Sequence, residues 1–154
     1  MDLSTWEAIE QIKQLKARYF RLVDQKRWEE WGDLFTEDVT AVYYNAPRDR
    51  PNDGLSGLQC NGRTNLVEAV RRALSQGISM HHGHMPEIEL TSPTTARGIW
   101  AMFDYLRLPT CIFKGYGHYE EEYVKEKNGW KIKTVVLTRL HCDRQWENPA
   151  HTKG

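Results

Sequence analysis

The sequence lacks any apolar run long enough to cross a membrane. Of its 154 residues, 40% are hydrophobic, yet no stretch approaches the roughly 20 consecutive apolar residues that a spanning helix needs. The first residues also lack a basic region followed by an apolar stretch, so no signal peptide is predicted. These absences predict a cytoplasmic protein with no membrane partner.

The chain also lacks an excess of either charge. Its 21 Lys and Arg residues balance 21 Asp and Glu residues, whereas nucleic-acid-binding domains carry a basic surface. Cysteine is scarce: Cys60, Cys111 and Cys142 are odd in number and form no CxxC motif. The sequence therefore predicts no nucleic-acid partner, and it predicts reduced, structural thiols.

The sequence does contain a helical half followed by a strand-rich half. Apolar residues recur at three- and four-residue steps over residues 9–23, 28–35 and 65–74, which predicts three amphipathic helices. A first strand is predicted over residues 39–44. Residues 45–62 are rich in Pro, Asn, Asp and Gly, and this composition predicts a long loop that covers a pocket.

The second half is predicted to be a meander of strands. The Asn128-Gly129 pair indicates a tight hairpin, because both residue types tolerate a positive φ angle. Helices followed by an antiparallel sheet predict one α+β domain, in which three helices lie on the concave face of a curved sheet and enclose a cavity. The predicted strands cover residues 80–90, 94–108, 115–127 and a stretch from 130 onward, the domain covers residues 1–145, and residues 146–154 form a polar tail.

The densest group of chemically active residues is a histidine run. His81, His82 and His84 fall within four positions at the start of a predicted strand. Because alternate residues of a strand share a face, His82 and His84 together with His118 form one candidate metal set. The chain contains no HExxH motif and no paired cysteines, so the metal interpretation is disfavoured and no metal is predicted.

The alternative is acid–base chemistry, which needs one histidine in an apolar pocket beside a carboxylate. Histidine exchanges protons near neutral pH, and a carboxylate partner orients its ring. Asp24 follows the apolar helix face at Leu22 and Val23, where an unpaired charge is costly to bury. From spacing alone, Asp24 is either the partner of a histidine or a solvated residue at the helix end.

Four segments together resemble one known family. Residues 12–24, in which an aromatic pair precedes an aspartate, are similar to the opening helix of the SnoaL-like group within the NTF2-like superfamily. Residues 28–38 are similar to the second helix of that family. Residues 79–88 and 95–104 resemble bile acid dehydratase and, more distantly, scytalone dehydratase. The resemblance covers the chain except for the predicted loop and the tail.

The resemblance implies a cone-shaped α+β barrel with a cofactor-free site inside it. By motif, Asp24 and His81 match an acid–base dyad in which the histidine is the general base. Tyr19 matches a phenol that contacts a substrate oxygen, Asp104 matches an acidic pocket residue, and Arg139 matches a basic residue of the last strand. The dyad also resembles that of the hexachlorocyclohexane dehydrochlorinase, which removes a proton to drive loss of chloride.

The activity implied by the resemblance is that of a lyase, a dehydratase above all, acting on a hydrophobic oxygenated ring of steroid, terpenoid or polyketide type. Trp100, Tyr43 and His118 are further candidates for substrate contact. The same dyad serves isomerases and cyclases, and the superfamily includes non-catalytic binding and assembly proteins, so these alternatives stay open. The partners implied are the small-molecule substrate and further copies of the chain, in a homodimer or homotrimer.

Overall fold

The computed structural model describes residues 1–47 and 57–147. The chain is an α+β fold, as predicted, with three helices packed on one face of a six-stranded curved sheet. No helix within the described ranges is both long and apolar enough to cross a membrane. The elements in chain order are α1 (Leu3–Asp24), α2 (Trp28–Gly32), β1 (Phe35–Tyr43), β2 (Leu58–Asn61), α3 (Arg63–Leu74), β3 (Ile78–Ser92), β4 (Thr95–Arg107), β5 (Cys111–Glu126) and β6 (Gly129–Trp146).

The sheet is curved and open, and it is antiparallel as predicted except for one parallel pair of strands. Among the described residues its strand order is β2-β1-β6-β5-β4-β3, with β2 and β3 at the two edges. Strands β3 to β6 form the predicted antiparallel meander, whereas β1 pairs with β6 in parallel. No short hairpin joins β1 to β6, so no turn forces the two strands to run in opposite directions.

Two element boundaries differ from the predictions in the first half of the chain. The second helix ends at Gly32, and Phe35 is the first residue of β1 rather than the last residue of a helix. The carbonyl of Leu34 accepts a hydrogen bond from the Ile132 N–H at 2.9 Å, which draws this segment into the sheet. The predicted loop over residues 45–62 contains the edge strand β2, and its residues 48–56 lie outside the described ranges.

Two further boundaries differ. The third helix begins at Arg63, one or two residues before the predicted cap, and Gly62 is its N-cap. The last strand extends to Trp146, the first residue of the predicted tail, which pairs with Cys111 of β5. Hydrophobic alternation weakens in this polar stretch, but the backbone hydrogen bonds to β5 hold it in the sheet. The remainder of the predicted tail, residues 148–154, lies outside the described ranges.

Helix α1 supplies the centre of the core. The Asp2 side chain caps its N-terminus by accepting the Thr5 N–H at 2.8 Å. Its buried positions recur at three- and four-residue steps and face the concave side of the sheet. Tyr19 packs edge-on against Phe35 and Tyr119, with ring centroids 5.9 Å apart in both pairs, which joins the helix to β1 and β5.

One charged pair lies inside this core. The Lys16 ammonium of α1 contacts the Glu121 carboxylate of β5, and both side chains are fully buried. The second carboxylate oxygen accepts the Tyr123 hydroxyl at 2.5 Å, and that hydroxyl accepts the Trp100 indole N–H at 2.9 Å. Burial lowers the pKa of Lys16 from 10.5 to about 8, against the opposing effect of Glu121.

The lowered pKa of Lys16 predicts a pH-dependent contribution to stability. Between pH 8 and 10.5 the unfolded chain keeps this proton and the native state loses it, so the free energy of unfolding rises with pH across that window. We expect the rise to be on the order of 1–3 kcal/mol and to be absent from the double variant Lys16→Met/Glu121→Gln. Urea denaturation of the wild-type protein and of the double variant at pH 7.5 and 10 measures this rise. Equal changes in the two proteins would contradict the assignment of the rise to Lys16.

Candidate active site

The end of α1 and the start of β3 bring together the two residues of the predicted dyad. His81 Nδ1 lies 2.6 Å from Asp24 Oδ1, although 57 positions separate the residues in sequence. Both side chains are largely shielded, with exposed fractions of 10% for His81 and 23% for Asp24. An ionised carboxylate only accepts hydrogen bonds, so Nδ1 carries the proton in this pair. In the neutral imidazole, the lone pair of the other ring nitrogen, Nε2, is then free to accept a proton.

Three donors hold the Asp24 carboxylate in place. Its Oδ2 accepts the backbone N–H of His81 at 2.8 Å, and its Oδ1 accepts the Ser79 hydroxyl at 2.9 Å as well as the His81 ring. The alternation of β3 explains the arrangement, because Ser79 and His81 are two residues apart and share one face of the strand. The strand therefore supplies both the base and the groups that fix its partner.

Ser79 was not singled out from the sequence, and its hydrogen bond to Asp24 yields a prediction. A hydrogen bond to a charged group contributes about 1.5–3 kcal/mol, so we expect Ser79→Ala to lower the free energy of unfolding by roughly that amount. Ser75→Ala is the matched control, because no partner for the Ser75 hydroxyl is found in the described ranges. Chemical denaturation of both variants measures the difference. Equal stability of the two variants would show that Ser79 does not hold Asp24.

His81 lines a cavity of about 310 Å³ between the helices and the sheet. Asn45 and Gly57, which lie in sequence on either side of residues 48–56, also line it. The apolar part of its wall comes from α1, β2, α3, β4 and β6 and consists of Val23, Leu58, Val70, Ala73, Leu74, Leu106 and Leu137. A wider groove of about 830 Å³ beside Glu87 and Glu120 lacks both members of the dyad.

Two tyrosines form a hydroxyl pair at this cavity. The Tyr19 and Tyr43 oxygens are 2.9 Å apart, and both residues line the cavity. Burial raises the pKa of both phenols, so each keeps its proton at neutral pH. One proton serves the bond between the two hydroxyls, which leaves the other for a bound oxygen atom.

A third tyrosine, Tyr119, lines the same cavity and was missed from the sequence. Burial raises its pKa, with a further contribution from Asp104, so it is also a protonated donor. No hydrogen-bond partner for its hydroxyl is found among the residues that the structure describes. The signal that would have identified it is its position on the inward-facing side of β5, where Glu121 and Tyr123 are also buried.

Asp104 and Arg139 form a buried ion pair on the cavity wall. Two parallel hydrogen bonds of 2.8 and 3.0 Å join the guanidinium to the carboxylate, and the Arg139 Nε–H donates to the Tyr44 carbonyl at 3.0 Å. The pairing of β3 with β4 sets Asp104 directly beside His81. Gly115 lies beside Asp104 on β5, and a Cβ there would overlap both charged groups, so this position requires glycine.

The remaining candidates do not reach the cavity. Trp100 is buried and donates to Tyr123, and it is not among the described residues that line the cavity. His118 alternates with the buried Gly117 and Tyr119, so it faces the outer side of the sheet. The structure therefore places neither Trp100 nor His118 at this cavity.

The other two histidines of the run also lie on the outer face. His82 stacks on Phe103 with ring centroids 5.8 Å apart, and His84 pairs in register with Ala101. Within residues 1–47 and 57–147, no group of three or more His, Cys, Asp or Glu side chains is arranged to hold a metal ion. Of the three clustered histidines, only His81 points to the helices.

Comparison with known proteins places this chain in a family. The model of the SnoaL-like domain matches residues 4–136. A provisionally named scytalone dehydratase from Novosphingobium aromaticivorans is 20% identical, with a TM-score of 0.79 and full coverage of both chains. A hexachlorocyclohexane dehydrochlorinase of type 2 is 15% identical, with a TM-score of 0.77 and coverage of 97% of this chain and 99% of its own. An NTF2-like protein with a cystatin-like fold, also from N. aromaticivorans, is 19% identical, with a TM-score of 0.70 over 90% and 85% of the chains.

Proposed function

This chain belongs to the SnoaL-like domain family, and from that premise we propose that it is an acid–base lyase that eliminates water from a hydrophobic ring substrate without a cofactor. The observation that carries the proposal is the 2.6 Å contact between His81 and Asp24 at the wall of an apolar cavity. Two similar solved structures bear the names of a dehydratase and a dehydrochlorinase, and both names denote eliminations.

The reaction begins with proton removal from a carbon next to a carbonyl group. Neutral His81 takes this proton at Nε2, and Asp24 stabilises the imidazolium that forms. The electrons of the C–H bond move toward the carbonyl, and the negative charge on its oxygen is met by tyrosine hydroxyls at the cavity, Tyr19 with Tyr43 or Tyr119. These phenols donate without ionising, because burial raises their pKa.

The second step returns the proton to a leaving group. The bond between the next carbon and its hydroxyl oxygen breaks as the carbon–carbon double bond forms, and the imidazolium proton completes a molecule of water. A positioned base contributes about 10²–10⁴-fold, and a hydrogen-bond donor to the oxyanion about 10²–10³-fold, so together they supply roughly 5–10 kcal/mol. That amount suits elimination from a carbon already acidified by a carbonyl.

The walls of the cavity define the substrate class. Its apolar surface favours a fused or cyclic hydrocarbon skeleton, and its hydroxyls favour carbonyl and hydroxyl oxygens on that skeleton. The charges of Asp104 and Arg139 neutralise each other, which disfavours a strongly charged ligand. The proposed substrate is therefore an uncharged ring ketone with a hydroxyl group one carbon beyond the acidified position.

The test is incubation with a panel of β-hydroxy ketones on steroid and bicyclic skeletons in deuterated water. We expect loss of one water from at least one member, detected by mass spectrometry, with His81→Ala as the matched inactive control. Deuterium uptake without loss of water would favour an isomerase or cyclase that uses the same dyad. Binding without either change would favour a non-catalytic binding protein, and it would contradict the lyase proposal. The homodimer or homotrimer implied by the resemblance is measured in the same samples by light scattering.

A further inference from the structure

The buried Lys16–Glu121 pair is not used by the proposed reaction, yet it lies directly behind two of its tyrosines. The Lys16 Nζ atom is 3.7 Å from the centroid of the Tyr19 ring and 3.6 Å from that of the Tyr119 ring. A third ring, Phe20, is 5.0 Å away. One ammonium group is therefore in contact with the rings of two phenols that line the cavity.

We propose that Lys16 is a positioning residue that holds Tyr19 and Tyr119 by their rings and strengthens both hydroxyls as hydrogen-bond donors toward a carbonyl oxygen in the cavity. The inference rests on the proposed function, because it assigns these hydroxyls to a substrate oxygen. In this proposal the Lys16 ammonium is a fixed positive charge that acts on both tyrosine donors.

The physical basis is the attraction between a cation and the electron-rich face of an aromatic ring. That attraction is strongest where water is excluded, and the Lys16 side chain has no exposed surface. The same positive charge favours electron density on the phenol oxygen when the hydroxyl donates, because a low-dielectric interior screens it weakly. With a pKa of about 8, Lys16 is mostly protonated at pH 7.

The counter-charge opposes part of this effect, because burial first and then nearby charges, that of Glu121 among them, raise the pKa of Tyr19 and Tyr119. Glu121 contacts the ammonium with one oxygen and receives the Tyr123 hydroxyl at the other, and the Trp100 indole N–H donates to that hydroxyl. In the described ranges, the carboxylate has no hydrogen bond to Tyr19 or Tyr119, whereas the ammonium lies over the faces of both rings.

A purely structural role does not account for the pair. Replacing a buried ion pair by uncharged side chains of similar size is often neutral or stabilising, so such a pair contributes little net stability. Two apolar side chains would fill the same space between α1 and β5. The distinctive consequence of an ammonium at this position is its charge beside the rings of two cavity-lining donors.

The inference is tested by ligand binding rather than turnover, with two probes that differ only in a carbonyl group that replaces one methylene group. The bicyclic ketone 1-tetralone and its hydrocarbon counterpart tetralin have the same skeleton, so the ratio of their dissociation constants reports donation to the carbonyl. We expect the wild-type protein to prefer the ketone and the double variant Lys16→Met/Glu121→Gln to lose about tenfold of that preference. Tetralin binding should change less than twofold.

Tyr123→Phe is the matched control, because it perturbs the same buried network and keeps the ammonium beside the rings. The ketone preference of this variant should equal that of the wild type.

Circular dichroism establishes that the variants are folded, and ¹⁹F spectra of 3-fluorotyrosine-labelled protein report on the environment of the tyrosine rings. The Tyr19 and Tyr119 signals, assigned by their Phe variants, should move in the double variant, while those of Tyr105 and Tyr116 stay in place.

An unchanged ketone preference in the folded double variant would overturn the inference and leave the proposed function standing. A wild-type protein without ketone preference would overturn both, since its hydroxyls then donate to no carbonyl. A wild-type preference that depends on Lys16, in a protein that dehydrates no ketone of the panel, would support the inference and would contradict the lyase proposal alone.

Discussion

Replacement of His81 by Ala is expected to lower the rate of elimination by about 10²–10⁴-fold, the range that a positioned general base contributes. The side chain lies on the cavity wall and carries the only imidazole among the described residues that line it. Ala removes the proton acceptor without adding volume, and the backbone N–H of residue 81 still bonds to Asp24. The variant should therefore fold, with circular dichroism as the check, while its kcat collapses.

The matched control for this prediction is the neighbouring histidine. His82→Ala changes the same residue type one position later, on the outer face where the ring stacks on Phe103. Its rate should stay within about threefold of the wild type, since a residue without contact to the reacting atoms contributes little to transition-state stabilisation. A similar loss in both variants, or in neither, would remove His81 as the base.

Asp24→Asn is expected to be nearly as damaging, for a different reason. The Asp24 oxygens accept three donors: the His81 ring, the His81 backbone N–H and the Ser79 hydroxyl. An asparagine side chain has one oxygen and one NH₂ group, so in either orientation the NH₂ group meets an N–H donor of His81. The imidazole then loses its orientation or its tautomer, and kcat should fall by about 10²-fold or more.

The second large effect is expected in stability, at the Asp104–Arg139 pair. Removing one partner leaves an unpaired charge in the core, which costs about 3–5 kcal/mol. We therefore expect Asp104→Asn and Arg139→Met each to lower the free energy of unfolding by that order, because the two side chains are only 2% and 4% exposed. Urea denaturation of each single variant measures the loss.

Two comparisons separate pairing from simple loss of side-chain contacts. The double variant Asp104→Asn/Arg139→Met leaves no isolated charge, so its loss should be well below the sum of the two single losses. Arg97→Met removes a partner from the exposed Glu89–Arg97 pair on β3 and β4, and it should cost about 1 kcal/mol at most. Additive losses in the double variant would contradict the assignment of an essential buried pair.

Local patterns explain which parts of the fold were predicted correctly. The three helices and the four long strands were predicted because apolar spacing reflects which face of an element is buried. The start of β1 was wrong because Phe35 fits the helical period of the preceding residues as well as a strand. The end of β6 was wrong because its hydrogen bonds come from β5, and they do not depend on an alternating pattern.

The residues of the candidate site were likewise predicted only in part. Motif resemblance selected Asp24, His81 and Tyr19, and the structure brings the first two into contact and sets all three at or beside the cavity. The sequence does not specify that His118 faces the outer side of the sheet, or that Trp100, on the buried face of β4, lies beside Tyr123 and away from the cavity. Tyr119 was missed because its neighbours in sequence resemble an ordinary alternating strand.

By itself, the sequence determined the helices and every described strand except β2, together with the α+β class, the family and the chemical character of the active residues, because these depend on residue types and short spacings. Only the tertiary structure decided which groups meet. It brought Ser79 and His81 onto Asp24, and it placed Lys16 between Tyr19 and Tyr119. The physical reason is that such contacts depend on strand register and on the position of α1 on the sheet. Both result from the packing of the whole core, so no short sequence pattern predicts them.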